Sequence, residues 1–326
     1  MRRDRPAWHP AAMVGVQGSR IGWTDVPEHV REAVARMLGA PIAAHEPQGG
    51  GFSPGAAERL LLADGRRAFV KAGNLALNEH TPGMYRREAQ ITAALPPQVP
   101  ATHLIDCYDD GDWVALILAD VDGRNPRVPW LPDELDAVIA TLDQLADELT
   151  PAPDIDVPTA REALELDAAG FRRLLDSGFD DFESLVAEHM PELLQLADDS
   201  LKAIGGDTLV HMDIRADNLL VRPDGTVVLV DWPHACIGAA WLDSLLLLLN
   251  VAVYGGYDID ALTASTPVLA KADPAAIDAA LALLASYFSH AWRQPPPPGL
   301  PTVRDWQKRQ GEVVLPWLAR RRGWAT

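Results

Sequence analysis

Cysteine is nearly absent: Cys107 and Cys236 are the only two in 326 residues. Two cysteines build no disulfide framework, and their separation excludes a CxxC redox pair or a metal knuckle. Long apolar runs are missing as well. The leucine run 245–249 is interrupted at Asn250 and its apolar stretch ends by Val253, far short of the roughly 20 residues a bilayer-spanning helix needs. The first ten residues, MRRDRPAWHP, carry arginines but no apolar h-region and no small-residue cleavage site, so export is not expected and the cytoplasm is the expected compartment. Positive charge is the third deficit. With 28 basic against 46 acidic side chains, the formal net charge is -18 and the pI about 4.8, opposite in sign to the footprint of a nucleic-acid binder. Neither nucleic acid nor membrane is an expected partner.

What remains is a globular composition, 48% hydrophobic and 23% charged with a mean hydropathy of -0.03, which excludes disordered and collagen-like classes. At roughly 100 to 200 residues per domain, the length allows one large domain or two lobes sharing a cleft. The acidic excess is concentrated. Residues 132–200 hold 19 Asp and Glu against only Arg161, Arg172 and Arg173. Such a run is either the solvated face of amphipathic helices or a surface that attracts a cationic small molecule.

Patterning divides the chain in two. Thr24 and Asp25 as possible N-caps, Pro27, and apolar Val30, Val34, Met37 and Leu38 before Gly39 predict a short peripheral helix. A glycine cluster follows. Beyond it come a strand over 56–63, a turn at Asp64-Gly65, a strand over 66–72 and a helix over 83–95, closed by Pro96, Pro97 and Pro100. Two further strands, 102–108 and 113–119, flank a turn at 109–112. From residue 122 onward the period is helical, over 134–149, 160–175, 181–204, 240–253, 275–292 and 303–321. One exception interrupts it: the runs 219–221 and 227–230, joined by Pro223-Asp224-Gly225, predict a hairpin among helices. The expected fold class is α+β, with a small antiparallel-sheet lobe over residues 1–119 and a helical lobe over 120–326.

The chemistry borders that hairpin, in His211-Met212-Asp213-Ile214-Arg215-Ala216-Asp217-Asn218 and Val228-Leu229-Val230-Asp231-Trp232. An Asp opening a loop, an Asn five residues later and an Asp closing the next hairpin can bring three oxygen ligands to one cavity. Phosphoryl transfer needs a carboxylate beside the acceptor hydroxyl and oxygen ligands for Mg²⁺ on the nucleotide phosphates. Asp213 suits the first task, and Asn218 and Asp231 the second. Either Asp213 or Asn218 alone is more often a turn cap, so the joint spacing carries the reading.

This constellation resembles the aminoglycoside phosphotransferase family of small-molecule kinases, whose catalytic loop reads HGDxxxxN followed by an Asp-Trp or Asp-Phe metal motif. His211, Asp213, Asn218, Asp231 and Trp232 stand at the family's positions, and Met212 departs from its usual Gly. The resemblance implies a two-lobed protein-kinase-like fold with ATP as donor and Mg²⁺ as metal. It also implies a nucleotide-covering loop at Gly49, Gly50, Gly51 and Ser53, in Gln48 to Gly55. Sixteen residues beyond Gly55, Phe69-Val70-Lys71 ends a strand in the manner of the kinase strand lysine. Lys71 is the expected phosphate ligand, with Glu88 on the next helix as its partner. Ala119 and Val121 would offer backbone groups to the adenine edge at the hinge, and Gly123 eases entry to the second lobe. Arg215 either neutralises the transferring phosphate or pairs with a neighbouring carboxylate. His211 reads as structural, Asp243 as a support for the loop backbone, Asp217 as solvated or a loop cap, and the tryptophans as closing lobe interfaces.

The implied activity is transfer of the γ-phosphoryl group of ATP to a hydroxyl of a small molecule. A cationic aminoglycoside-like antibiotic suits the acidic excess. Amino sugars, choline-like molecules, nucleosides and macrolides are the alternatives, and a catalytically silent nucleotide-binding scaffold is the alternative from another class. No APE-like element follows Asp231-Trp232-Pro233, which sets the chain apart from protein kinases. Oligomeric state is not readable.

Overall fold

The computed structural model describes residues 20–49, 54–297 and 300–324. After a single 3-10 turn, Trp23–Asp25, the first helix α1 spans Glu28–Leu38. Asp25 does not cap it: its carboxylate accepts the Gly22 N–H at 2.9 Å inside the 3-10 turn, and α1 starts directly behind Pro27. The chain continues through β1 (Ile42–Pro47), β2 (Ala56–Leu62), β3 (Arg67–Asn74), α2 (Thr81–Ala94), β4 (Leu104–Asp109) and β5 (Trp113–Ala119). These strands form one five-stranded sheet, in the order β1-β2-β3-β5-β4, with every neighbouring pair antiparallel.

Strand alternation assigns the two faces of this sheet. Leu60, Leu62, Val70, Ala72 and Ile117 point to one face, where Val30, Val34 and Leu38 of α1 cover them with Trp23 and Val26. On the other face, Leu116 and Leu118 pack against Tyr85 and Ala89 of α2. Lys71 lies one residue out of phase with Val70 and Ala72, so it stands on the α2 side. Gly55 has φ 137° and its position would put a Cβ 2.4 Å from the Ala72 carbonyl oxygen; only glycine lets the chain enter β2 so close to β3.

The second half is helical, as its period predicts: α3 (Pro132–Glu148), α4 (Ala160–Ala168), α5 (Gly170–Asp176), α6 (Ser184–Ala203), α7 (Leu242–Tyr254), α8 (Ile259–Ser265), α9 (Pro267–Ala270), α10 (Pro274–Ala291) and α11 (Val303–Arg322). Between α6 and α7 lie four short strands, β6 (Thr208–Val210), β7 (Leu219–Val221), β8 (Val227–Leu229) and β9 (Cys236–Gly238). β7 and β8 pair as the predicted hairpin, and β9 pairs with β6. Helices α7 and α10 form the centre of the core, with Leu247, Leu248, Val251, Leu281, Ala282 and Ala285 fully enclosed. Among the described residues, no helix is long and apolar enough to cross a membrane.

One predicted helix, 160–175, is two. Ser286 of α10 is fully buried and inserts its hydroxyl at the break, donating to the Ala168 carbonyl at 2.8 Å and accepting the Phe171 N–H at 2.9 Å. Those bonds replace the helical ones lost there. Gly170 permits the approach: a Cβ on it would lie 2.1 Å from the Ser286 carbonyl oxygen, with backbone on both sides of the clash. Gly170→Ala is therefore expected to cost about 2–3 kcal/mol in overpacking strain. Gly83→Ala in α2, where an added Cβ meets nothing within 4 Å, is expected to be neutral or to stabilise by about 0.5 kcal/mol. Urea midpoints of the two variants check this; equal midpoints would remove the close-packing account of the break.

Candidate active site

The loop between β6 and β7 carries 211–218, and its backbone is clamped from below. Asp243, in the first turn of α7, is buried and accepts the His211 N–H at 2.8 Å and the Met212 N–H at 2.9 Å. Met212 needs the clamp because its φ is 66°, a left-handed conformation that costs a non-glycine residue about 1–2 kcal/mol. This accounts for glycine at that position in the family the sequence resembles. His211 is fully buried. Its Nδ1 accepts the Asp213 N–H at 3.2 Å, which places the ring proton on Nε2 for donation to the Val230 carbonyl at 3.0 Å. Burial lowers its pKa against the pull of Asp243 and Asp213, so the neutral ring ties the loop to the strand that leads into Asp231.

Asp213 and Asn218 come together. The Asn218 amide donates to the Asp213 Oδ2 at 2.8 Å and to its carbonyl at 2.9 Å. Arg215 donates from Nη1 to the Asp213 Oδ1 at 2.9 Å. Asp217, expected to be solvated or a loop cap, instead receives the Arg215 fork at both oxygens, 2.9 Å each. That bidentate grip fixes the guanidinium plane, and the Arg215 carbon sits 5.5 Å from the centre of the Trp306 ring on α11.

Across the cleft, Lys71 joins both halves of the chain. Its Nζ donates to Glu88 Oε1 and Oε2 at 2.9 and 2.8 Å and to Asp231 Oδ1 at 2.7 Å. Burial opposes the ammonium charge, but Asp231 and Glu88 together hold the Lys71 pKa above its usual value. Glu88 is fully buried; burial raises its pKa, with Lys71 opposing and the Asp231 charge reinforcing the rise. Burial also favours a neutral Asp231, yet Lys71 and Arg215 overcome it and bring that carboxyl down to about 2. Asp231 is the second non-glycine residue in the left-handed region, with φ 69°. Both strained residues thus border the same cleft, where strain is commonly held by a surrounding network.

The donor set fits a hard divalent cation. Asn218 spends its N–H groups on Asp213 and leaves its amide oxygen without a donor among the described residues, and Asp231 keeps Oδ2 free of the Lys71 bond. The described residues contain no cluster of three His, Cys, Asp or Glu side chains for a metal, and Mg²⁺ does not require one, because it is held by one or two carboxylates together with phosphates and water.

Of the other expected site residues, Gly50, Gly51 and Ser53 lie outside the described residues, and Gly49 is exposed at the end of β1's outgoing turn. Ala119 ends β5. Its N–H donates to the His103 carbonyl at 2.9 Å and its carbonyl accepts the Thr102 hydroxyl at 3.0 Å, so both its backbone groups already have protein partners. The Val121 carbonyl accepts from Arg59 Nη2 at 2.9 Å. Arg59 and Arg67 also pair with Asp120, each at 2.9 Å, which braces the segment where the sheet gives way to helices.

The acidic stretch 132–200 runs from the start of α3 into the last turn of α6. Fourteen of its nineteen carboxylates are exposed on the outer faces and connections of α3 to α6, and Arg172 and Arg322 pair with Asp198 and Glu192. One member behaves differently. Asp167, at the end of α4, lines a cavity of about 200 Å³ shared with α5, α10 and the first turn of α11. Its carboxylate accepts no hydrogen bond from the described residues, and burial pushes that carboxyl up to about 6 despite Arg173. Tyr287, His290, Arg304 and Gln307 complete the walls that matter. Tyr287 accepts from Gln307 at 2.9 Å, and burial followed by the charge of Asp167 pushes its phenol up to about 12, with Asp213 adding to the rise. None of these cavity residues was legible as a site residue, because 167, 287 and 304 share no local motif.

The raised Asp167 value sets a pH dependence. The unfolded carboxyl titrates near 3.8 and the folded one near 6, so as pH rises from about 4 to 6 the unfolded chain releases the proton first and stability falls. Asp167→Asn is expected to be more stable than the parent at pH 7 by about 1 kcal/mol, allowing for partial solvation, and indistinguishable from it below pH 4. Denaturant titrations at the two pH values check this.

A five-stranded antiparallel sheet, a strand lysine paired to the helix beside it, and an aspartate-asparagine loop on a helical half define a kinase-like phosphotransferase. The chain belongs to the phosphotransferase enzyme family, whose profile matches residues 52–274, and by class it is a small-molecule kinase. Its fold is similar to that of aminoglycoside phosphotransferase from Alicyclobacillus acidocaldarius, at 19% identity over 86% of this chain and 92% of that one, with a TM-score of 0.53. A thermostable mutant of aminoglycoside phosphotransferase APH(4)-Ia, in a ternary complex with AMP-PNP and hygromycin B, superposes with a TM-score of 0.57 at 16% identity, over 90% of this chain and 98% of that one. Choline kinase from Streptococcus pneumoniae gives 0.58 at 12% identity, over 90% and 98%. No curated protein sequence matches the chain.

Proposed function

We propose that the chain transfers the γ-phosphoryl group of ATP to a hydroxyl of a small molecule, with residues 1–119 covering the nucleotide and 120–326 supplying the catalytic loop and acceptor side. The observation that carries this reading is the meeting of Asp213 and Asn218 on one wall of a cleft whose other wall is the Lys71–Glu88–Asp231 triad. Complexes of APH(4)-Ia with AMP-PNP and with ADP support the choice of nucleotide.

In this reading Asp213 takes the proton of the acceptor hydroxyl as its oxygen bonds to the γ-phosphorus, and the bond from that phosphorus to the β–γ bridging oxygen breaks to release ADP. Arg215, held by Asp217, faces the charge that develops on the transferring group. All three Lys71 protons are in use, so a phosphate oxygen would take the place now filled by Asp231, which with Asn218 would hold the cation. Mg²⁺, held by Asp231 and Asn218, neutralises phosphate charge when bound. Of the backbone groups of Ala119 and Val121, the Val121 N–H is the one open to the adenine edge, since the Val121 carbonyl is held by Arg59 and the Ala119 N–H and carbonyl are occupied.

An aminoglycoside-like antibiotic is one acceptor class that the similar structures bring to mind, with resistance as its consequence. Mg²⁺-dependent ADP release across aminoglycosides, amino sugars, choline, nucleosides and hydroxylated acids tests the reaction itself. Acceptor-stimulated release is expected; ATP binding with no stimulation by any member would favour a silent scaffold.

A further inference from the structure

The cavity between α4, α5, α10 and α11 has the wrong charge for a cation site. Its walls carry two arginines that form no ion pair among the described residues, Arg173 and Arg304, against the single carboxylate of Asp167. His290 adds no compensating negative charge, and burial together with those two arginines lowers its pKa. Arg304 is held in place by neutral groups alone: Nη1 donates to Gln307 Oε1 at 2.7 Å, and Nε and Nη2 donate to the Pro295 carbonyl at 3.1 and 2.9 Å. A guanidinium fixed in this way and lacking a counter-charge is arranged to meet an anion.

Position and size narrow the reading. Tyr287 is a wall of the cavity and also feels the charge of Asp213. Trp306, between Arg304 and Gln307 on the wall-forming turn of α11, sits under Arg215, which itself grips Asp213. The cavity therefore adjoins the acceptor side of the catalytic loop. Its volume of about 200 Å³ is below the 300–1,000 Å³ usual for drug-sized ligands. One sugar ring or a short acid fills it.

We propose that this cavity is an anion subsite for the acceptor, taking the carboxylate or phosphate group of a small hydroxylated acid on Arg304 and Arg173 and leaving the acid's hydroxyl toward Asp213. The placement of the hydroxyl rests on the phosphotransfer reading above; the anion site does not.

Calorimetric titration of the nucleotide-free protein, at fixed ionic strength, tests the subsite with glycerate, gluconate, glucuronate, glycerol 3-phosphate and glucose 6-phosphate against glucosamine, choline and kanamycin. At least one acid is expected to bind, and the carboxylate and phosphate arms show which anion is preferred. Arg304→Gln should weaken that acid about tenfold, as loss of a charged hydrogen bond does. Arg173→Gln, on an exposed side chain, should weaken it several-fold without touching the fold, and keeps the test valid if Arg304→Gln unfolds. Asp167→Asn should tighten it, an opposite sign that a merely structural role does not produce. Binding of no acid, or binding of amines that Asp167→Asn weakens, overturns the subsite. The same probes with Mg²⁺-ATP separate the two readings: arginine-dependent acid binding with no ADP release from any probe sinks phosphotransfer and leaves the subsite, whereas turnover of amines indifferent to Arg304→Gln does the reverse.

Discussion

Asp213→Asn is expected to lower kcat by about 10²- to 10⁴-fold, the usual contribution of a positioned general base, while leaving ATP affinity within about twofold. The geometry separates these effects. Asp213 touches Arg215 and Asn218, and none of its bonds reaches Lys71, Glu88 or the hinge. Asparagine keeps the shape but accepts at only one oxygen, so one of the two donors facing it loses its partner. Arg215 still has both oxygens of Asp217, and Asn218 still donates to the carbonyl of residue 213. The loop backbone is anchored separately through Asp243. A melting temperature near the parent's with turnover reduced at saturating acceptor is therefore the expected pair of results. Parental turnover would remove Asp213 from the base role; a large fall in melting temperature would show the loop to be less independently anchored than its bonds indicate.

How far the sequence speaks for this molecule depends on range. The β2–β3 turn at Asp64-Gly65 and the β7–β8 hairpin at Pro223-Asp224-Gly225 were legible because turn chemistry is local, and the sheet-then-helix order followed from a change of period. The pairing of Lys71 with Glu88 is what the family resemblance implies, and the two meet at 2.8 Å. Where the structure departs, a distant residue intervenes. The α4–α5 break is made by Ser286, more than a hundred residues along the chain, and its only local trace is Gly170 within an otherwise helical run. β9 is three residues long and exists because β6 lies beside it. Asp217 acquired its role from the direction of the Arg215 side chain, which composition does not encode. The acidic surplus left a solvated face and a cation-attracting surface both open, and Asp167 is singled out only by a cavity assembled from four helices.

Lys71→Met is expected to abolish most turnover and, unlike Asp213→Asn, to destabilise the fold. Removing the ammonium leaves Glu88, fully buried, and Asp231, with 27% of its side chain exposed, facing the same vacated space without a cation. Breaking a buried ion pair by deleting one partner costs about 3–5 kcal/mol. The lower end applies here, because Glu88 can take up a proton, its pKa already being raised by burial, and Asp231 retains Arg215 and solvent. The double variant Lys71→Met/Glu88→Leu replaces the pair by apolar groups of similar volume, a change that is often neutral or stabilising, and its urea midpoint should return to within about 1 kcal/mol of the parent. Turnover should not return, since one positioned electrostatic contact to a reacting group is worth about 10²- to 10³-fold. Recovery of stability without recovery of ADP release separates the two duties of Lys71, joining the halves of the chain and meeting the nucleotide phosphates. Recovery of both would reduce Lys71 to a structural ion pair and move the phosphate contact elsewhere in the cleft.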